Sequence, residues 1–305
     1  MHRIFITGGA GFIGYTLNKK LLQVGYGICV YDNLFNGRVE NVPIQDGAMF
    51  VKGDILDGAL LNKKLFDFSP DVVIHLAALH FIPYCKSNPL ETIKVNIEGT
   101  QLVIDASLKS SVRKVLFASS AAVYPISDSA LSEDVITEPM DIYGVSKVAG
   151  EHIIRIASKG SGIPMVSMRF FNAYGPRETN PHLIPSLVRQ LKQGVRKVEL
   201  GNLEPKRDFI HTDDLTDAII ALIEADFNGY EVFNLGNGTE HSVLEIVGYL
   251  QEALGDEIEV VSKEELQRKA ERMHLLSDIS RIKKATNWHP RKDIKDGLKE
   301  LLLER

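Results

Sequence analysis

An apolar run at residues 3–7 leads straight into Gly8, Gly11 and Gly14, and the apolar spacing of a helix follows. The chain must therefore pass from strand to helix inside a glycine-rich bend. Glycines at these places permit a tight turn, leave backbone N–H groups open at a helix start, and let helix and strand pack closely. Such a beginning restricts the chain to folds in which parallel strands alternate with helices. Further apolar runs at 27–31, 49–52, 72–75, 114–118 and 164–169 continue the alternation, with helices expected at 11–24, 90–110 and 143–159. The expected class is α/β: a doubly wound parallel sheet with right-handed crossovers and a ligand at the carboxyl ends of its strands.

After Arg169 the regularity weakens. Residues 172–182 read as a long functional loop, rich in Gly, Pro, Asn and charge. Helices are expected at 184–193, at 212–225 with Thr212 as N-cap, and at 241–254 with Ser242 available to cap. Short strands are expected at 197–200 and 232–235, and 281–288 and 294–303 close the chain. This suits a smaller α/β lobe interleaved with the first. The first unit is expected to span 1–169 and to be joined by about 208–238, leaving 170–207 and 239–305 to the second.

Composition excludes several functions. The 305 residues are 44% apolar and 25% charged, with a net charge of −5, so no basic footprint for nucleic acid is present. No apolar run is long enough to span a bilayer, and the start leads into a strand rather than a signal peptide. Only Cys29 and Cys85 occur, which fits two reduced thiols in a cytoplasmic protein.

Chemistry enters at four places. Asp32 ends the second strand, 18 residues after Gly14, where a carboxylate accepts hydrogen bonds from ribose hydroxyls and repels a 2′-phosphate. This favours NAD over NADP, with Arg38 the nearby residue able to pair with such a phosphate. Asp54 follows the third strand and is placed to meet adenine, and Leu76-Ala77-Ala78 ends the fourth, where small side chains let backbone approach a cofactor. Ser120 closes the fifth strand, and 23 residues later Tyr143 and Lys147 stand four apart, on one face of a helix. A hydroxyl, a phenol and a lysine beside a dinucleotide loop point to hydride chemistry at a carbon bearing oxygen.

These segments, in this order, resemble the extended short-chain dehydrogenase/reductase family, and within it nucleotide-sugar epimerases of the UDP-glucose 4-epimerase type. The resemblance covers nearly the whole chain. It rests on Thr7 to Gly14, Tyr31-Asp-Asn-Leu34, Gly53-Asp-Ile55, His75 to Ala78, Val95-Asn-Ile-Glu-Gly-Thr100, Ser119 to Tyr124, Tyr143 to Lys147, Arg169 to Arg177, Arg207 to Asp213, and Asp278 to Ile282. It implies a Rossmann-type domain for NAD and a second lobe for a nucleotide diphosphate sugar, a UDP-sugar being favoured. Implied cofactor contacts are Gly8, Gly11, Phe12, Ile13, Gly14, Asp32, Asn33, Asp54, Ile55, Leu76, Ala77, Ala78, Asn96, Tyr143 and Lys147. Ser120, Tyr143 and Lys147 would be catalytic, with Tyr143 as acid/base assisted by the ammonium. Ser120, Tyr143, Asn172, His182 and Arg207 would meet substrate, as would Arg268, with Arg272 a competitor. A homodimer through the helices at 90–110 and 143–159 is implied as well.

Some residues depart from the family pattern. Ala121 and Ala122 follow Ser120, where related dehydratases carry an Asp-Glu pair and decarboxylases an acid at the second position; methyl groups do no acid/base chemistry. His80-Phe-Ile-Pro-Tyr-Cys85 makes a bulkier wall near the nicotinamide, His182 replaces a common asparagine, and Pro125 a common glycine. Residues 201–208 resemble GDP-mannose dehydratases as much as UDP-sugar enzymes. Epimerisation at C4 of a UDP-hexose is the expected reaction. The rivals are a dehydratase, a 4-keto-sugar reductase, and a dinucleotide-sensing regulator that has lost catalysis.

Overall fold

The structure, a computed structural model, describes residues 2–263 and 272–304. Its strands are β1 (Arg3–Thr7), β2 (Gly27–Asp32), β3 (Met49–Lys52), β4 (Val72–His75), β5 (Lys114–Ser120), β6 (Met165–Phe170), β7 (Asn172–Tyr174), β8 (Lys197–Leu200), β9 (Lys206–His211), β10 (Tyr230–Leu235), β11 (Glu240–Ser242) and β12 (Glu259–Ser262). The helices are α1 (Phe12–Gln23), α2 (Gly58–Phe68), α3 (Ile82–Ser87), α4 (Pro89–Ile93), α5 (Gly99–Leu108), α6 (Ile142–Ser161), α7 (Leu183–Lys192), α8 (Thr212–Glu224), α9 (Val243–Leu254), α10 (Ser280–Thr286) and α11 (Ile294–Leu303).

Seven parallel strands form the main sheet in the order β10-β6-β5-β4-β1-β2-β3. Alternation along β1 sends Ile4 and Ile6 to one face and Phe5 to the other. The first face packs with Leu17 of α1 and with Leu215 and Ile219 of α8. The second packs with Leu61 of α2, Val103 of α5 and Ile154 of α6. Burial on both faces explains why these strands read as unbroken apolar runs. The strand order reverses between β1 and β4, so the ligand crevice of such a sheet opens at their carboxyl ends, beside Gly8 and Leu76.

The second layer has its own core, in which Tyr174, Ile184, Leu187, Ile246, Leu250 and Leu298 meet. It is built on a β11-β9-β7 sheet and a β12-β8 pair. Strand β10 and helix α8, within the segment expected to rejoin the first unit, lie in the main sheet and its helix layer. Ile279, Ile282 and Trp288 fall inside the 239–305 stretch assigned to the second lobe, yet they are buried in the cluster beneath the main sheet.

Local details differ from expectation in physical ways. The single helix expected at 90–110 is broken: α4 and α5 are joined by one π-helical turn, Lys94–Glu98, that faces Asn96 inward. Such turns insert an extra residue and redirect a side chain. Thr212 is not the cap of α8, because the His211 imidazole accepts the Asp213 N–H at 3.1 Å. Ser242 does cap α9, in a reciprocal pair with Glu245.

Candidate functional site

The glycine turn sits at the switch point. Gly8 has φ +71, and a Cβ on it would lie 2.5 Å from the Ala77 nitrogen, so a side chain is excluded twice over. Beneath the turn, Asn18 donates to Gly9 O at 2.8 Å and Asn41 donates to Ala10 O at 2.9 Å. The Asp32 carboxylate accepts from Ala10 N–H at 3.0 Å and from Leu34 N–H at 2.7 Å. Burial pushes the Asp32 pKa up, and those two backbone donors pull it back. The outer side stays clear, since a Cβ on Gly11 would meet only Gly8 O, at 3.2 Å. Phe12, Ile13 and Gly14 then open α1, the place where helix N–H groups face an anion. Asn33 donates to the Asp54 carboxylate at 3.0 Å, Tyr31 O–H donates to Asp54 O at 2.8 Å, and buried Ile55 packs against Gly99. With Leu76, Ala77 and Ala78 along the crevice edge, these residues fit a dinucleotide. Sequence reasoning passed over Asn18 and Asn41; a polar residue on the buried face of α1 was the available signal for Asn18.

The second constellation lies at the end of β5. Asp141 caps α6 by accepting from Gly144 N–H at 2.8 Å, which sets Tyr143 in the first turn and Lys147 in the next. Ser120 Oγ accepts from Ala122 N–H at 3.1 Å, and its hydroxyl acts to lower the pKa of the neighbouring Tyr143 phenol. Both Tyr143 and Lys147 are buried, and Lys147 Nζ donates to Ala118 O at 2.7 Å, 5.7 Å from the Tyr143 ring centre. Burial beside Leu79 and Cys85 pushes the phenol pKa up, against the Ser120 hydroxyl that lowers it. Lys147 is itself pushed down to about 7 by burial, with Cys85 and Glu151 opposing. Asn96 spends its side chain on structure: it accepts from Leu79 N–H and donates to Leu79 O, both at 2.8 Å, and donates to Ser146 Oγ at 3.0 Å. It ties the end of the β4 segment to α6.

The other expected residues that the structure describes lie on β7, on β9 and in the loops around them. Asn172 is partly buried in β7. Arg207 donates to Arg272 O at 2.8 Å, and Arg272 reaches across the turn after Ser120, donating to Ala121 O at 3.2 Å and Tyr124 O at 2.6 Å. Arg268 lies outside the described residues. His182 precedes α7 and pairs with buried Glu178, its ring 5.7 Å from Phe81. Asn180 Nδ2 lies 2.7 Å from His80 Nε2, so the loop before α7 leans on the bulky His80-Phe81 wall. Burial and His182 push the His80 pKa down to about 4, which keeps that ring neutral.

The model of the NAD dependent epimerase/dehydratase family matches residues 4–236. The chain belongs to that family. It is 30% identical to a UDP-glucose 4-epimerase of Azospirillum brasilense, covering 97% of this chain and 89% of the relative. It is 28% identical to a UDP-N-acetyl-alpha-D-glucosaminuronate decarboxylase of Bacillus cytotoxicus, covering 98% and 96%. Among solved structures, the UDP-glucose 4-epimerase of Thermotoga maritima with UDP-glucose superimposes with a TM-score of 0.90 at 28% identity, covering 98% of this chain and 97% of that one. Membership in this NAD-dependent family accounts for the placement of both constellations around one crevice.

Proposed function

We propose that this member of the family is a nucleotide-sugar 4-epimerase that uses NAD and acts on a UDP-hexose through a 4-keto intermediate. The observation that carries the reading is the Tyr143 phenol set beside Ser120, with Lys147 one turn further along α6 and alanines after Ser120 where elimination would need an acid. The sequence relatives and structural neighbours that act on UDP-sugars support the same substrate class.

NAD would be held by Gly8, Gly11, Phe12, Ile13 and Gly14 at its pyrophosphate, by Asp32 at a ribose, by Asp54 and Ile55 around adenine, and by Lys147 and the Leu76–Ala78 edge toward the nicotinamide. When bound, it supplies a hydride acceptor that returns the hydride, and a positive charge that favours phenolate nearby. Tyr143 takes the proton of the C4 hydroxyl while Ser120 orients that hydroxyl, and it returns the proton to the inverted centre. Arg207, Arg272, Asn172 and His182 would hold the diphosphate and sugar, an arginine fork suiting phosphate oxygens. Ala121 and Ala122 offer no acid to expel water, so the keto sugar is left to turn and be reduced on its other face.

The deciding experiment is a panel of UDP- and GDP-sugars with no added cofactor, products being identified by NMR. Interconversion of C4 epimers is expected. Loss of water or carbon dioxide would establish a dehydratase or decarboxylase, dependence on added NAD(P)H a reductase, and no turnover with any sugar would favour a dinucleotide sensor.

Cofactor preference is tested at Asp32. Replacement by alanine would also remove the acceptor for Ala10 and Leu34, so Asp32→Asn is the cleaner change. It is expected to weaken NAD by about 10- to 100-fold, from loss of charge-assisted hydrogen bonds, and to narrow the preference over NADP. Unchanged preference in titration calorimetry would remove Asp32 from the ribose.

A homodimer is part of the proposal. Leu90 and Ile93 on α4, and Val145 and Ile156 on α6, are exposed apolar residues on adjacent helices, Leu90 at 81% and Ile156 at 68%. Two copies of this face would form a four-helix interface. Leu90→Glu combined with Ile156→Asp is expected to give a monomer in light scattering; an unchanged mass would exclude this face. Among the described residues no helix is long and apolar enough to cross a membrane, and both free thiols are buried, which supports a cytoplasmic enzyme.

A further inference from the structure

Behind the catalytic face lies a buried charged pair that the reaction does not touch. Arg169 grips Glu151 through both fork nitrogens, Nε at 2.8 Å and Nη2 at 2.7 Å. Ser119 Oγ donates to the same carboxylate at 2.6 Å. Ser119 and Arg169 are register partners on β5 and β6, and the next pair along is Ser120 with Phe170. Glu151 stands one turn beyond Lys147 on α6, as Lys147 stands one turn beyond Tyr143. The other end of Arg169 donates to Tyr124 O–H at 2.9 Å, and Tyr124 donates in turn to Asn234 of β10 at 2.6 Å. One guanidinium therefore joins α6, two strands and the turn after Ser120.

A buried ion pair is a weak stabiliser beside apolar residues of equal volume, because desolvation offsets its attraction. Its placement gives it another use. We propose that Glu151 and Arg169 are positioning residues for the catalytic centre: they lock α6 to the Ser119–Ser120 end of β5 and set a carboxylate one turn from the Lys147 ammonium. This deepens the epimerase reading and rests on it for the role of Lys147.

Lys147 has few charges to respond to. The titratable groups around it are Tyr143 and Glu151 on α6, Cys85 on α3, His75 on β4, and His80 beyond it. Of these, His75 is pushed down to about 3 and His80 to about 4, while burial raises Cys85 and Tyr143, so all four are neutral near pH 7. Glu151 is the carboxylate among them and favours the ammonium, while the Arg169 guanidinium it holds acts the other way. Removing its charge must lower the Lys147 pKa, and at neutral pH fewer molecules would present the cation to the nicotinamide ribose.

The test uses the purified full chain, with the Lys147 side-chain carbon resonance followed against pH and kcat measured separately. Glu151→Gln keeps the volume and removes the charge; one acceptor oxygen becomes an N–H donor, so one arm of the Arg169 fork loses its partner. The variant is expected to move the Lys147 midpoint down by roughly a few tenths of a pH unit and to lower kcat at pH 7 by about twofold or more, with KM changed far less. Arg169→Lys keeps the charge but loses the fork; it is expected to lower kcat with the midpoint close to wild type. An unmoved midpoint in Glu151→Gln, or a fall in thermal stability with kcat intact, overturns the proposal. Should Glu151→Gln not fold, Arg169→Lys decides, and a wild-type kcat there overturns it. A shifted midpoint in a protein that turns over no nucleotide sugar would instead refute the epimerase reading and leave the pair's effect on Lys147 standing.

Discussion

Tyr143→Phe is expected to lower kcat by about 10²- to 10⁴-fold, the contribution usual for a positioned acid/base, while affinity for NAD and for the UDP-sugar changes far less. The geometry makes the loss specific. The ring packs with Leu79 and Cys85, contacts that phenylalanine keeps, and Ser120 retains its hydrogen bond from Ala122 N–H. What disappears is the hydroxyl proposed to exchange a proton with the sugar. The sign of the pH dependence follows from burial. A phenol whose pKa is raised is protonated at neutral pH, so the fraction of phenolate should rise with pH, while the Lys147 ammonium, with its pKa pushed down to about 7, is lost over the same range; wild-type turnover should pass through a maximum. The residual rate of Tyr143→Phe should lack the rising limb. Epimer interconversion followed by NMR from pH 6 to 10, with calorimetry for binding, reads both effects. Near-normal rates in the variant would sink the assignment of Tyr143.

The parts of this structure legible in sequence are those whose pattern is local. Strands β1, β2 and β4 announce themselves because both faces of the sheet are covered there, and α6 because its cap, Asp141, and its apolar stripe lie within a few residues. Ser120, Tyr143 and Lys147 could be grouped because a strand end and a helix start constrain where they point. What stayed hidden depends on distant partners. Strands β11 and β12 are short, β9 and β11 are largely polar, and each exists through pairing: β11 with β9, β9 with β7, and β12 with β8. The π-helical turn around Asn96 has no propensity signal; it is paid for by hydrogen bonds to Leu79 and Ser146, 17 and 50 residues away. The burial that raises the phenol pKa is hidden for the same reason. The sequence shows a lysine four residues on, but not the apolar surroundings of the ring.

Gly14→Ala carries the other large expected effect, and it separates packing from chemistry. A Cβ on Gly14 would lie 2.1 Å from Gly9 O and 2.5 Å from Gly9 C. These are backbone atoms of the turn itself, so no rotamer change can relieve the contact. Gly9 cannot retreat without breaking the Asn18 hydrogen bond to its carbonyl, and its Cα faces Ile6 and Val30 of the sheet. Either α1 moves off the sheet or the turn opens. The cost should exceed the ~1–3 kcal/mol of ordinary overpacking, and NAD binding should become undetectable by calorimetry, because the N–H groups at the start of α1 would no longer face a common point. Gly11→Ala makes the contrast. Its Cβ would meet only Gly8 O, so thermal stability should change little, yet the methyl would stand on the side the pyrophosphate approaches and should weaken NAD strongly. Equal loss of stability in the two variants would mean that Gly11 serves the fold, as Gly14 does, and would take away the argument that this side of the turn is kept clear for a ligand.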